Sequence, residues 1–361
     1  PLRSNPQGFF HFIMAEIILD SKAYKHNLNL IHSHINSHNK SNVEIAAVLK
    51  DNAYGHGLKE MATIAAEYGI KSVFVKNYNE AIQIYKFFPQ VTAFYGMPQG
   101  DFAKNIAFVI HDEKHISALP QGTKVELKVN VGMNRNGIEP SELESFIQAI
   151  LQKKLELIGV FSHNGYGDDL DSVFFHTQSN FAKLKQEVLH LSQKYGFAPP
   201  RFHSLSTSGA IRVASEGGIT DDLVRIGIGA YGYLDVSFEN PISDKLQKVA
   251  SLYADRVSTR FLDKGERIGY SGCTTLNSPQ VVSTYDIGYG DGFFRVNENH
   301  KVYIANGLQI LPRSSMDCFS CFCDEPRICV FNDVTHLAKA FGTISYEILT
   351  HLSPSIKRTI I

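Results

Sequence analysis

The sequence predicts an α/β protein: a TIM-like (β/α)8 barrel over residues 14–243, followed by a smaller, mostly β domain over residues 244–361. Three observations carry this prediction. From about residue 17 to residue 232, short apolar runs rich in β-branched residues alternate with longer amphipathic stretches, the rhythm of a parallel sheet wound with helices. Several of these runs end in a polar or charged residue, and the C-terminal ends of barrel strands are where such folds place their chemistry. Beyond about residue 244 the texture changes to short strand-like runs separated by Lys-Gly, Asn-Gly and Asn-Ser-Pro turns.

Residues 1–13 hold one arginine and a Phe-Phe-His-Phe-Ile cluster, too brief for a secretory signal and without a small-residue cleavage site. They read as leader or added residues, with the fold starting at Met14. Residues 45–49, Ile-Ala-Ala-Val-Leu, fit a buried parallel strand that delivers Lys50 to its end. Further strands are expected at 72–75, 91–95, 106–110, 125–129, 157–161 and 224–228, with helical stretches such as 141–153 and 174–194 between them. Residues 203–210, His-Ser-Leu-Ser-Thr-Ser-Gly-Ala, read as a loop opening onto a helix, which offers hydroxyls and free N–H groups to a phosphate. In the second domain the strand-like runs are 249–261, 280–287, 301–304, 309–311 and 327–331. The number of repeats over roughly 220 residues suits a barrel better than an open doubly wound sheet. No Gly-x-Gly-x-x-Gly opens a helix after the first strand, which counts against a dinucleotide site.

Composition bounds the partners. Lys and Arg total 35 against 36 acidic residues, and hydrophobic residues make up 43%, as in an ordinary soluble globular protein. There is no basic face for nucleic acid and no polybasic run for a membrane surface. No apolar stretch approaches the ~18 to 20 residues of a membrane span, and a cytoplasmic protein is the simplest reading. The cysteines, Cys273, Cys318, Cys321, Cys323 and Cys329, are odd in number, and reduced thiols are expected. Their spacing lacks the paired Cys-x-x-Cys of a zinc ribbon, so no metal is assigned.

By residue type alone Lys50 is a strand-end lysine, usually a solvated charge. A desolvated amine in that position loses its proton near neutral pH and attacks aldehydes, forming a Schiff base. Residues 50–57, Lys-Asp-Asn-Ala-Tyr-Gly-His-Gly, resemble the pyridoxal phosphate (PLP) attachment motif of the alanine racemases, with Asp51 in place of alanine. Residues 128–137, Lys-Val-Asn-Val-Gly-Met-Asn-Arg-Asn-Gly, resemble the family's Lys-x-Asp-Thr-Gly-Met-x-Arg-x-Gly, from which Asn130 and Val131 depart. Residues 224–232, Val-Arg-Ile-Gly-Ile-Gly-Ala-Tyr-Gly, match its Val-Arg-x-Gly-Ile-x-x-Tyr-Gly. In the β domain, Gly288-Tyr289-Gly290-Asp291-Gly292-Phe293 resembles Gly-Tyr-Ala-Asp-Gly-Tyr, and Ser315-Met316-Asp317 and residues 342–347 resemble two further segments. The likeness covers nearly everything after Met14.

This resemblance implies a PLP enzyme that interconverts L- and D-alanine, with D-alanine destined for bacterial cell-wall peptidoglycan. A racemase needs acid/base groups on both faces of a planar carbanion. Lys50 would serve one face and Tyr289 the other; in the family that tyrosine comes from the neighbouring subunit, so the sites would exist only in a homodimer. Arg135 would contact the cofactor's phenolic oxygen and the substrate carboxylate, which suits the two parallel donors of a guanidinium. The Met316 backbone N–H would contact the same carboxylate from across the interface. Ser208, the N–H groups of Gly227 and Ile228, and the hydroxyls of Tyr54 and Tyr346 would surround the phosphate. Arg225 would hydrogen-bond the pyridine nitrogen without readily giving up a proton, and His163 would stand between Arg225 and the partner's Tyr289. Thr207 stands where many relatives have asparagine, and the lysine at the place of Lys128 is carbamylated in some of them. Three alternatives are weighed. One is a racemase of broader amino-acid range, and another a decarboxylase of the same fold, disfavoured by the Tyr-Gly-His-Gly after Lys50. The third is a non-catalytic PLP-binding protein, disfavoured by the β domain carrying Tyr289 and Met316.

Overall fold

The computed structural model describes residues 14–37, 42–98, 100–216 and 218–361, so the expected leader over residues 1–13 lies outside the described residues. The chain divides into two compact units. One comprises residues 20–249 with Ile361, and the other joins the N-terminal segment through Leu19 to residues 250–360. β1 (Glu16–Leu19) belongs to the second unit's sheet, and that unit resumes at residue 250.

In the barrel unit, β2 (Glu44–Val48), β3 (Ser72–Asn77), β4 (Gln90–Tyr95), β5 (Ile106–Ile110), β6 (Lys124–Lys128), β7 (Glu156–Phe161), β8 (Arg201–His203) and β9 (Leu223–Ile226) form one parallel sheet. Its order is β8-β7-β6-β5-β4-β3-β2-β9. Asp222 N donates to Phe202 O at 2.9 Å and Arg225 N to Leu205 O at 3.2 Å, so the end strands meet and the sheet nearly closes. All five residues of β5, Ile-Ala-Phe-Val-Ile, are buried, as expected of a strand covered by helices outside and by packed side chains within. The helices Leu58–Tyr68, Tyr78–Ile84, Glu113–Ala118, Leu143–Gln152, Val173–Tyr195 and Thr207–Glu216 follow successive strands. The alternation has one gap: among the described residues, no helix lies between β4 and β5. A further helix, Ser21–Ser37, precedes β2 and packs against Thr207–Glu216 and Leu58–Tyr68. No described helix is long and apolar enough to cross a membrane.

The second unit is built on β10 (Ala250–Leu262). Beyond it lie a small ladder of β11 (Arg267–Ile268) and β12 (Thr274–Thr275), then β13 (Gln280–Tyr285), β14 (Phe319–Cys321), β15 (Arg327–Phe331) and β16 (Lys357–Ile360). The main sheet runs β14-β13-β10-β1-β16, with β15 also on β10. β1 is antiparallel to β10 and parallel to β16, and it buries Ile17 and Leu19 completely. Glu16 at its start pairs with Arg327 (2.9 Å) and Lys357 (2.8 Å), tying β1 to the strands around it. The strands expected at 301–304 and 309–311 are instead isolated bridges, Tyr303 with Gln309 and Leu311 with Ser320. The chain reverses at Gly307, whose φ of +82° suits glycine, and Gly307 N to Ile304 O, Ile304 N to Leu308 O and Ile310 N to Val302 O close the turn. The five cysteines are free thiols.

Candidate active site

Lys50 follows β2 after one residue, Leu49, and the next four residues all lie in the left-handed region, with φ between 52° and 55°. A left-handed conformation costs a non-glycine residue about 1–2 kcal/mol, so the surroundings must hold this turn in place. Glu80 does much of that: its carboxylate accepts from Asn52 N at 2.9 Å and from Lys76 N at 2.7 Å. Asn52 Oδ1 in turn accepts from Leu58 N at 2.8 Å, starting the helix that follows. Asp51, the departure from the family motif, pairs with Lys76 at 2.6 Å on the rim. The effect is to fix Lys50 at the barrel mouth. Burial is the largest cause of a depressed pKa for its amine; Asp51 opposes it, and the charges of Arg135 and Lys76 reinforce it.

Lys128 ends β6 and is only 7% exposed. Burial first, then the positive charges of Arg135, Arg225 and Lys50, push its pKa down to about 7. Its amine donates to Asn136 Oδ1. Arg135 sits on the loop between them, exposed at the mouth. That loop is closed at its base by Asn130 N to Ile138 O (2.8 Å) and Ile138 N to Lys128 O (3.0 Å). Asn130 takes up the role its departure from the motif left open: its Oδ1 accepts from Gly132 N (3.2 Å) and Asn134 N (3.0 Å), a local Asx-type turn.

Arg225 on β9 is buried and held on both arms. One arm donates to Ser162 O at 2.9 Å and lies 3.5 Å from His163 Nδ1. The other donates to His203 Nδ1 and to His203 O at 3.3 Å. Burial lowers the pKa of His163 to about 3, with Arg225 and Arg135 adding to it, so this imidazole is neutral. Behind His203, its Nε2 meets Glu126 Oε2 at 2.7 Å. Glu126 and the pairing role of His203 escaped the sequence reading. The available signal was a carboxylate inside the apolar strand Lys-Val-Glu-Leu-Lys, which a buried strand tolerates only if the charge is paired.

Beside β9 the backbone forms a small cradle. Ser208 lies in the first turn of the helix Thr207–Glu216, buried, with its hydroxyl 3.1 Å from that of Ser206. A side-chain carbon on Gly227 would lie 2.6 Å from the Tyr54 hydroxyl, and one on Gly229 would lie 2.4 Å from Thr207 Cγ2. Both glycines are therefore required by close approach. Thr207 Oγ1 accepts the Gly227 N–H at 3.1 Å, so that N–H, expected to face a phosphate, has a protein partner here. Ile228 begins the 3-10 turn Ile228–Tyr231, which Asn27 steadies from the helix Ser21–Ser37 by donating to Ala230 O at 3.0 Å. Tyr54 packs its ring 5.2 Å from that of Tyr231.

The barrel unit thus brings together Lys50, Tyr54, Arg135, His163, Ser208, Arg225, Gly227 and Ile228. Tyr289, Met316 and Tyr346 lie in the β unit. There Tyr289 N donates to Ser315 O (3.3 Å) and Gly290 N to Met316 O (2.7 Å), so the two segments carrying Tyr289 and Met316 are stapled side by side. Glycine at 290, where the family has alanine, lets Met316 approach: an added carbon would sit 3.0 Å from its Cγ. Tyr289 is 39% exposed and Met316 54%, on a surface free to meet other groups. Tyr346 lies on the helix Ser345–His351, whose last carbonyl packs where a carbon on Gly292 would stand.

Comparison with known proteins agrees along the whole chain. The family description "Alanine racemase, N-terminal domain" matches residues 19–235, and "Alanine racemase, C-terminal domain" matches residues 249–360. An alanine racemase of Campylobacter concisus is 39% identical over 348 residues, covering 96% of this chain and 100% of the relative. The crystal structure of alanine racemase from Bacillus anthracis with bound L-Ala-P superposes with a TM-score of 0.81 at 26% identity, covering 97% of this chain and 95% of that one. A histidine racemase from Leuconostoc mesenteroides shares the fold, with a TM-score of 0.81 at 23% identity and coverage of 97% and 99%. Matched in both parts and over almost its full length, the chain belongs to the alanine racemase family and is an amino-acid racemase.

Proposed function

We propose that the chain interconverts L- and D-alanine with PLP held at the barrel mouth, by two bases, Lys50 and Tyr289 of the partner subunit, in a homodimer. The observation that carries this reading is the pairing of a desolvated amine at Lys50 with a cluster of positive charge that Asp51 and Glu80 offset only in part. Lys128, Arg135 and Arg225 all press on the same space, and no carboxylate figures among the charges acting on Lys128. Such a site fits a ligand bearing a phosphate, a phenolate and a carboxylate. The space that Gly227 leaves beside the Tyr54 hydroxyl fits the phosphate end.

Bound there, PLP supplies an electron sink that stabilises negative charge at the substrate's α-carbon. The residues of this chain do the rest. Lys50, whose amine burial shifts toward its neutral form, would hold the cofactor and would move the α-proton on one face. The partner subunit's Tyr289 holds or returns a proton on the other face. Arg135 orients the substrate carboxylate, joined by the partner subunit's Met316 through its backbone N–H. At the barrel mouth, Ser208, Ile228 and Tyr54 would hold the phosphate. Arg225 would hold the ring nitrogen by donating to it while keeping its own proton, since a guanidinium does not readily give one up. The D-alanine formed would supply cell-wall peptidoglycan.

The test is incubation of the protein with PLP and L-alanine in heavy water, with α-proton exchange followed by NMR and the D-alanine fraction by chiral chromatography. Exchange with rising D-alanine is expected. Absence of both signals, despite cofactor attached at Lys50, overturns alanine as the substrate. Because one relative in fold is named for histidine, the same assay is run across other amino acids.

A further inference from the structure

We infer that Glu126 is a positioning residue for Arg225: acting through His203, it fixes which imidazole nitrogen accepts the guanidinium's N–H and holds that guanidinium charged and fixed in orientation. The inference rests on the proposed role of Arg225 at the cofactor's ring nitrogen.

Glu126 lies in the middle of β6, wholly buried, one layer below Lys128 because the two share a strand face at period two. An ionised carboxylate in a barrel interior is costly unless it is paired and hydrogen-bonded. Here it is both. Oε1 takes the Arg201 guanidinium at 2.5 Å and the Thr92 hydroxyl at 2.9 Å, while Oε2 takes His203 Nε2 at 2.7 Å. The neighbouring strand makes room for it: a side-chain carbon on Gly159 of β7 would lie 2.8 Å from Oε2. Arg201 and the burial of the pair would account for a purely structural ion pair. They leave unexplained why the remaining oxygen is spent on a histidine that reaches Arg225.

The direction of each hydrogen bond follows from the inventory of donors. A guanidinium has donors only, so His203 Nδ1 must accept from Arg225 and carry no proton. The imidazole proton therefore sits on Nε2 and is donated to Glu126, and the ring is neutral. Phe161 stacks on this ring, with centroids 4.8 Å apart and planes 14° apart, and the edge of Phe74 meets it at 5.3 Å, so the ring has little freedom to turn. A carboxylate on one side of an imidazole is the standard way to select its tautomer. Glu126 and then Asp221 are also the anions that oppose the effect of burial on Arg225, whose pKa is lowered to about 10 even with both acting. The buried cation thus has its counter-charge one imidazole away, leaving its own outer N–H groups for other partners.

Two substitutions separate positioning from support. Glu126→Gln keeps shape and removes charge. Arg201→Lys weakens the ion pair but leaves the carboxylate ionised. The first readout needs no cofactor: in protein labelled with 15N-histidine, with the His203 signals identified by their loss in His203→Asn, wild type is expected to show a proton on Nε2 only. Arg201→Lys should keep that pattern, whereas in Glu126→Gln the amide oxygen stays toward the donors Arg201 and Thr92 and its NH2 faces His203 Nε2, opposing the Arg225 donor on the other side of the ring, so the two tautomers should mix. The second readout is turnover. Glu126→Gln is expected to lower kcat on the order of 10- to 100-fold, the range seen when an outer-shell orienting partner is removed, with KM within about twofold. Arg201→Lys should lower thermal stability but leave kcat within about threefold of wild type. Unchanged imidazole signals and kcat in Glu126→Gln overturn the inference, as does an equal loss of kcat in Arg201→Lys. If Glu126→Gln does not fold, Glu126→Gln with Arg201→Gln, which leaves no formal charge unbalanced, takes its place. A wild-type protein that does not racemise alanine defeats the functional proposal, and the imidazole signals alone then decide the inference.

Discussion

Protonating Lys128 adds positive charge to the space it shares with Lys50, Arg135 and Arg225, and the barrel resists it. The resistance has a thermodynamic signature. The amine's ordinary pKa is 10.5 and the fold pushes it down to about 7, so between those values the unfolded chain binds more protons than the folded one. Stability contributed by this group rises with pH across that window and is lost as pH falls through it. Lys128→Met should erase that slope. Urea midpoints of the cofactor-free protein, measured from pH 7 to about 9.5, are expected to climb more steeply for wild type than for the variant; parallel curves would show that Lys128 is not forced neutral. The same crowding explains the neutrality of His163, whose largest cause is burial. A neutral imidazole beside Arg225 can accept or donate a hydrogen bond without adding to the positive charge around it.

At the scale of elements, β1 carries most of what the second unit owes to a single short strand. Its Glu16 is held well below the usual carboxylate range, at about 2, first by Lys357, then by Thr359, with Arg327 also lowering it. A carboxyl group whose pKa drops from 4.5 to about 2 on folding stabilises the fold at pH values above 4.5, and that contribution disappears as pH falls through about 2. Glu16→Gln is therefore expected to lower the thermal midpoint of the β unit at pH 7 and to converge with wild type near pH 2 to 3. Equal midpoints at pH 7 would show the ion pairs to be neutral in effect. The sequence did not announce this strand's home. Glu-Ile-Ile-Leu reads as a strand from its apolar residues, but four residues carry no local sign of which sheet they join, and its partners lie far along the chain. The barrel strands were legible for the opposite reason: runs such as Ile106–Ile110 are apolar throughout because both faces are covered. β8, only three residues long and containing an arginine and a histidine, gave no such signal. Residues that end strands, such as Lys50 and Arg225, stood out against apolar runs. Glu126, inside one, was hidden because its partners Arg201 and His203 lie 75 and 77 positions away.

At the scale of the whole molecule, the proposed chemistry divides between two copies, with Lys50 from one subunit and Tyr289 from its partner; within one chain the two residues lie in different compact units. A mixing experiment tests this directly. Lys50→Ala and Tyr289→Phe homodimers should each be inactive. Unfolded together and refolded as a random mixture, they should recover about a quarter of wild-type turnover, because half the dimers are mixed and each of those has one intact site of two. No recovery on mixing would mean that both residues act within one subunit or not at all.

The β unit is assembled from both ends of a long loop. Glu16 and Thr359, 343 positions apart, share a hydrogen bond, and β1 lies between β10 and β16 in the sheet. During synthesis the barrel segment emerges complete while β1 still lacks both neighbours, since β10 and β16 follow it. An apolar strand with two open edges is a template for pairing with other chains, and closing so distant a contact is slow. The second unit is accordingly the last part of the chain to mature. A chain halted just before residue 250 carries the barrel segment and a strand with neither neighbour, so its vulnerability to proteases and self-association is greatest before β10 is made and falls in two steps, as β10 and then β16 arrive.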